Sequence, residues 1–248
     1  MKLKITEEYS YLGLKFKPSG SLTAASDELY SKALRAWYSI SNIIYQNKRM
    51  SVKAGLRLFD SLIAPICLFS SELWSVFTIP KKSLNCLYSI LKSWEGFQCE
   101  KLNHKVCNVL LSLHSKSSRL AALGEIARYP LLIQSLSHSL VYEWILRNKT
   151  SPTSWVGLAL RDMDQMAADG VDCWVNRVNK IKVAMNIPNL QHFRTINEIK
   201  QSIKKGLRSK FEMFWKSEIS MVKTGSDGQD HNKLRYYKTL KSSFTSEP

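Results

Sequence analysis

Two residue sets in this 248-residue chain have the types, though not the spacing, for metal chemistry. Asp162 and Asp164, in "RDMDQM", are the first, because paired aspartates hold divalent cations for phosphoryl transfer. On a helix, residues two apart point about 200° away from each other. This pair cannot share an ion from there and reads as a solvated face. The second set is Cys99, His104, Cys107 and His114, a C-x4-H-x2-C-x6-H pattern that matches no standard structural zinc site. If Cys99–His114 is one helix, its ends stand roughly 22 Å apart at about 1.5 Å per residue, too far for one tetrahedral ion. The two cysteines then read as small core residues and the histidines as surface or helix-end residues. A Cys/His nucleophile has no positive support.

The familiar catalytic strings are absent. There is no GxxxxGK(S/T) and no GxGxxG to cradle a phosphate. There is no GxSxG elbow and no HExxH. No cofactor, metal or small-molecule substrate is expected.

What remains is charge. The chain carries 36 lysines and arginines against 20 aspartates and glutamates, a net +16 with a pI near 9.7. The excess is not a tail: 13 basic residues face 7 acidic ones over 1–97, 11 face 7 over 98–189, and 12 face 6 over 190–248. A basic excess spread along the whole chain suits a polyanionic partner, most simply nucleic acid.

Three stretches combine cations with aromatic rings. They are Lys32–Tyr38, Lys204–Trp215 and Lys233–Lys241. Cations neutralise phosphates and flat rings stack on unpaired bases. In the second stretch Lys200, Lys204 and Arg208 recur every four residues and make one stripe, while Leu207, Phe211 and Phe214 make another. An ordinary amphipathic helix looks the same, so the rings read as core as readily as stacking platforms. The cations read as a phosphate track or as a solvated face. Lys32 and Arg35 lie three apart on one side of an earlier helix, a spacing that suits tracking a duplex backbone. Nothing indicates base reading.

The elements that must position these residues follow from periodicity. Lys2–Thr6 and Tyr9–Lys17 alternate around a Glu7-Glu8 turn and predict a β-hairpin, ended by Pro18-Ser19-Gly20. From Ser21 the period becomes helical, with Leu29, Ala33, Trp37, Ile40 and Ile44 on one face. Ser51 caps a second helix, which Pro65 should kink. Further helices are predicted near Lys81–Trp94, Cys99–Leu113, Ser118–Tyr129, Leu131–Arg147, Ser154–Ala168, Val171–Met185, Ile196–Met221 and Lys233–Phe244. The fold class is mainly α, a short N-terminal β-hairpin followed by a multi-helix bundle. The expected divisions are a hairpin over 1–20, helices over 21–97, a second helical region over 98–222, and a linker with a last helix over 223–248. The linker rests on "KTGSDGQDHN" (Lys223–Asn232).

The odd, scattered set of five cysteines argues for a reducing compartment. Met1–Thr6 is short and charged, with no apolar stretch of a secretory signal after it. The longest uncharged apolar run, Ser61–Ser71, falls short of the roughly 20 residues a bilayer needs. An intracellular protein with no membrane partner is expected, nuclear or cytoplasmic.

The order of elements carries a resemblance. "YSYLGLKF", then "PSGS", then "LYSKALRAWYSI", then "LRLFDSLIAPICLFSSELWS" resembles non-LTR, LINE-type retrotransposon reverse transcriptases just downstream of their catalytic centre. There a Tyr-Leu-Gly strand lies in the primer-grip hairpin, and the helices after it form the thumb. Tyr11, Leu12 and Gly13 match the strand. Lys32, Ala33, Arg35 and Ala36 match the first thumb helix. Leu58, Phe59, Asp60, Ser61, Leu62, Pro65, Glu72 and Trp74 match the next segment. "LGEIARYPLLI" (Leu123–Ile133) looks like a recurrent stretch of the region after the polymerase, and "KLRYYKTLKSSFTSEP" like its end segment.

The resemblance implies a primer-grip-like hairpin, thumb helices and a post-polymerase region. It implies sequence-independent binding of RNA or an RNA–DNA hybrid through Lys15, Lys17, Lys32, Arg35, Lys200, Lys204, Lys205 and Arg208. The family's paired catalytic aspartates lie before the Tyr-Leu-Gly strand. Here ten residues precede Tyr11, none is aspartate, and no Asp-Asp pair occurs in the chain. Two-metal chemistry needs such carboxylates, so no polymerase activity is expected of what looks like a fragment of a decayed element. The competing expectations are a helical protein-binding scaffold and an inert, poorly folded fragment.

Overall fold

Side-chain hydroxyls start several helices. Ser51, Ser118, Ser154 and Thr195 each accept a hydrogen bond from the backbone N–H three residues on. Each satisfies one of the donors that a helix start leaves orphaned. A computed structural model describes residues 9–11, 13–16, 22–46, 50–187, 193, 195–221, 234, 237–241 and 243–244. The chain is mainly α with one N-terminal hairpin. Strands β1 (Tyr9–Tyr11) and β2 (Leu14–Phe16) lead into helices α1 (Thr23–Gln46), α2 (Val52–Leu62), α3 (Ala64–Cys67) and α4 (Ser71–Thr78). After them come α5 (Leu87–Lys92), α6 (Gln98–Leu110), α7 (Arg119–Glu125), α8 (Leu131–Lys149), α9 (Trp155–Ala168), α10 (Trp174–Ala184), α11 (Ile196–Ser220) and α12 (Tyr237–Leu240). No helix among the described residues is long and apolar enough to cross a membrane.

The hairpin differs from expectation. Residues 1–8, including the Glu7-Glu8 turn, lie outside the described residues. Within 9–16 the chain folds back on itself, antiparallel, with Tyr9 opposite Phe16, Ser10 opposite Lys15 and Tyr11 opposite Leu14. Gly13 stands at φ +82°, a conformation glycine alone adopts without steric cost, and that is why the turn forms there. Gly13 is therefore a turn residue rather than part of a Tyr-Leu-Gly strand. Leu14 is buried against α1.

Other boundaries move for local reasons. The expected kink at Pro65 is a break: α2 stops at Leu62 and α3 restarts at Ala64, with Pro65 in its first turn, where a missing N–H costs nothing. The single helix expected over Lys81–Trp94 is a 3-10 turn at Lys81–Ser83, then α5, then a second 3-10 turn at Ser93–Gly96. Cys86 interrupts it with extended backbone, φ −139° and ψ 124°. At the far end only Tyr237–Leu240 is helical among the described residues of the helix expected over Lys233–Phe244.

α8 is the axis of the bundle. Its leucines, Ile133 and Trp144 are buried on all sides, the pattern of a helix enclosed by others. α4 and α11 make the most extensive packing against it. Small residues let α4 approach: Ser75 Oγ lies 2.8 Å from Ser139 Oγ, and Ser139 Oγ donates to the Glu72 carbonyl at 3.1 Å. α1 packs on α3, α4 and α6. One apolar core runs from Leu14 through Phe244 and crosses the expected divisions after 20, 97 and 222.

α7 meets α11 with no space to spare. A Cβ on Gly124 would lie 2.6 Å from Trp215 Cζ2 and 2.8 Å from Tyr237 Oη. Trp215 cannot yield easily, because its Nε1 donates to the Leu120 carbonyl at 2.9 Å. Gly124→Ala should cost about 1–3 kcal/mol of overpacking, less about 1 kcal/mol gained in helix propensity. A lower urea midpoint is expected, and a raised one would show that the contact is loose.

Candidate nucleic-acid interface

The basic stripe of α11 stands beside a groove. Ile199, Ile203, Leu207 and Phe211 face the core, which turns Lys200, Lys204 and Arg208 toward a cavity of about 1010 Å³. Leu68, Pro65 and Ile133 supply apolar wall, and Gln134, His138 and Glu72 supply polar wall. Lys200, Lys204 and Arg208 are about 6 Å apart along the axis, at 1.5 Å per residue. Successive phosphates of one strand are separated comparably. None of the three is in an ion pair among the described residues. Arg208 lies 4.6 Å over the Tyr129 ring. The Tyr129 hydroxyl donates to Glu212, and burial, then that carboxylate, pushes it up to about 12. Lys205 is exposed but does not line the groove.

His138 shares this wall. Its Nδ1 is 2.7 Å from Ser71 Oγ. Burial holds the imidazole below its ordinary value, and Lys200 and Lys204 add to that, against the pull of Glu72. The neutral ring prevails near neutral pH, so the groove's positive charge comes from α11.

Arg128 lines the groove but is committed elsewhere. Ala127 sits at φ +47°, and the Arg128 N–H returns to the Leu123 carbonyl at 2.9 Å, closing α7 as a left-handed helix end does. That reversal aims the guanidinium at α2 and α6. It donates to Asp60 Oδ1 and Oδ2 at 2.7 and 3.3 Å and to Asn103 Oδ1 at 2.6 Å. Asn103 Nδ2 donates in turn to Glu100, whose other oxygen accepts from the Leu132 N–H at 2.9 Å. A polar chain thus runs from the groove to the N-terminus of α8.

A second cationic face lies on α1 and the hairpin. Lys32 pairs with Glu28 at 2.9 Å. The Lys32 hydrogen bond holds the Glu28 carboxyl below its ordinary value, and the charges of Lys15 and Arg35 add to it. Three of the expected binding residues therefore gather around one carboxylate. Arg35 is exposed. Tyr11 ends β1 and Gly13 makes the turn; Leu12 and Lys17 lie outside the described residues.

The rings divide sharply. Trp37, Phe211, Phe214 and Trp215 are core residues and offer no stacking face. Tyr38 is 56% exposed. Spacing alone does not mark it as a site residue, nor Lys105, Arg128, Tyr129 and His138. One signal was present: on a helix, Tyr38 lies about 100° round from the core residue Trp37.

The metal-type sets do not assemble. Cys99 and Cys107 are buried. The neighbouring Cys67 thiol and burial push the Cys99 thiol up, and burial pushes the Cys107 thiol up to about 12. His104 is half-buried and held low by burial. His114 is exposed, its Nδ1 accepting from the Lys116 N–H at 3.1 Å. No group of three or more His, Cys, Asp or Glu gathers among the described residues. Asp162 is exposed, as expected. Asp164 is not merely solvated: Arg147 Nη2 and Nη1 donate to its two oxygens at 2.8 and 3.1 Å. Arg147 also bonds the buried Glu143, which accepts from Lys182 at 3.2 Å. This network ties α8, α9 and α10 together.

Comparison with protein families, with curated proteins and with solved structures returns no match for this chain.

Proposed function

We propose that this protein binds RNA or an RNA–DNA hybrid without sequence preference, through the α11 groove and the α1 face. The observation that carries the reading is the file of Lys200, Lys204 and Arg208, unpaired with any carboxylate among the described residues, along a groove open to solvent. A lysine or arginine on a solvated face costs little to pair, yet here none is paired. The net charge of +16 supplies the long-range attraction. In this reading the helices correspond to the thumb and post-polymerase region of a LINE-type reverse transcriptase. The role is binding without polymerisation, since the chain contains no Asp-Asp pair.

A salt titration of filter binding to a labelled RNA–DNA hybrid tests it. The logarithm of affinity should fall linearly with the logarithm of salt. Replacing Lys200, Lys204 and Arg208 together by alanine should flatten that slope by roughly 2 to 3. No affinity at low salt, or a slope the triple variant leaves unchanged, overturns the proposal.

A second reading, a protein-binding scaffold, has one observation of its own. On α9, Trp155 is 89% exposed, and Val156 and Leu158 beside it in the first turn are exposed as well. An apolar face of this kind suits a protein partner. Trp155→Ser should leave the salt slope unchanged if α9 has no part in nucleic-acid binding.

A further inference from the structure

Among the described rings of the basic-aromatic stretches, Tyr38 is exposed, and its surroundings are cationic. Arg35 lies one turn before it on the same face of α1. α6 packs alongside α1 and brings Lys105, whose ammonium stands 4.8 Å from the ring centroid and donates to the Tyr38 hydroxyl at 3.4 Å. Lys101 is exposed one turn before Lys105. No carboxylate pairs with Arg35, Lys101 or Lys105 among the described residues. The ammonium, held on the hydroxyl, anchors that end of the ring. With 56% of the residue exposed, the ring keeps a face open to solvent.

We infer that Tyr38, with Arg35, Lys101 and Lys105 around it, is a stacking site for an unpaired base of single-stranded nucleic acid. The inference rests on the nucleic-acid reading above and deepens it, since the α11 groove offers cations without an open ring. Flat rings accept any base by its π-face, and flanking cations hold the backbone. A duplex would present only phosphates here, because its bases are already stacked.

The test compares two probes of equal charge, a fluorescein-labelled oligo-dT 15-mer and an abasic 15-mer, by anisotropy at low salt. The native protein should bind oligo-dT more tightly. Tyr38→Ala should lower affinity for oligo-dT about 5- to 150-fold, the worth of one stacked base, and leave affinity for the abasic probe unchanged. Tyr38→Phe should keep the native affinity, since stacking needs the ring and not the hydroxyl. Lys105→Ala should reduce the salt slope for both probes by about 1. Tyr38 is exposed, so its loss should leave the urea midpoint unchanged. If Tyr38→Ala binds oligo-dT like the native protein, or weakens both probes equally, the stacking site is overturned while general binding stands. Failure of the native protein to bind either probe also overturns the stacking site, while the hybrid titration alone decides the general reading.

Discussion

Arg177→Ala should cost about 3–5 kcal/mol of folding stability, read as a large drop in urea midpoint by circular dichroism. The residue is 8% exposed and every arm of its guanidinium is used. Nε and Nη2 donate to Asp172 Oδ1 and Oδ2 at 2.9 and 2.7 Å. Nη1 donates to the carbonyls of Val76 and Ile79 at 3.1 and 3.0 Å, and the plane lies 4.9 Å over the Phe77 ring. Those two carbonyls end α4, where the helix has no N–H of its own to offer. Removing the side chain orphans both and frees Asp172 of its partner. Arg177→Lys keeps the charge but cannot fork, so it should recover only part of the loss. The Arg177 hydrogen bond holds the Asp172 carboxyl below its ordinary 3.8. The stability from that pair is present above about 3.8 and is lost as pH falls through the lower folded value. A cost under about 1 kcal/mol for Arg177→Ala would mean that water replaces these bonds freely.

The second large effect is a pH dependence of opposite sign. Burial pushes the Glu100 carboxyl up to about 7 from 4.5, against the hydrogen bonds of Asn103 and the Leu132 N–H. Between these values the folded chain holds a proton that the unfolded chain has released. Stability therefore falls as pH rises from about 4.5 to about 7 and is level, for this group, above that. The window corresponds to on the order of 3 kcal/mol. Glu100→Gln removes the titration. Its amide still accepts from the Leu132 N–H but sets an NH2 against the Asn103 amide, at a cost of about 1 kcal/mol. The variant should be less stable than the native protein at pH 4 and more stable at pH 8. The difference between the two unfolding free energies cancels every other carboxylate, so a difference that does not change with pH sinks the assignment.

Local signals marked the long helices well. α8, α9 and α11 begin beside Pro130, Ser154 and Thr195, and α11 ends within one residue of expectation. These starts are decided by groups within three residues of one another. The same periodicity put Lys200, Lys204 and Arg208 on one face before any packing was known. Where expectation failed, two local choices of similar cost competed. Alternation over Tyr9–Lys17 reads as one strand, but the positive φ of Gly13 folds residues 9–16 back on themselves. Over Lys81–Trp94 a helical pattern exists, but its six residues of regular helix are bounded by 3-10 turns on the path from α4 to α6.

The sequence by itself determined the helical class, the charge and the stripes, because these depend on residue type and a 3.6-residue period. Only the tertiary structure decided which cations are free and which rings are open. Arg128 and Asp60 are 68 residues apart, and Arg177 caps carbonyls 98 and 101 residues away. Arg128 and Arg177 look in sequence like Lys200 and Arg208, yet the first two are consumed inside the fold. Trp37 and Tyr38 are neighbours in the chain, and one is core while the other is surface. A charge or a ring is available to a partner only if nothing within the molecule satisfies it first, and that depends on distances that no local pattern encodes.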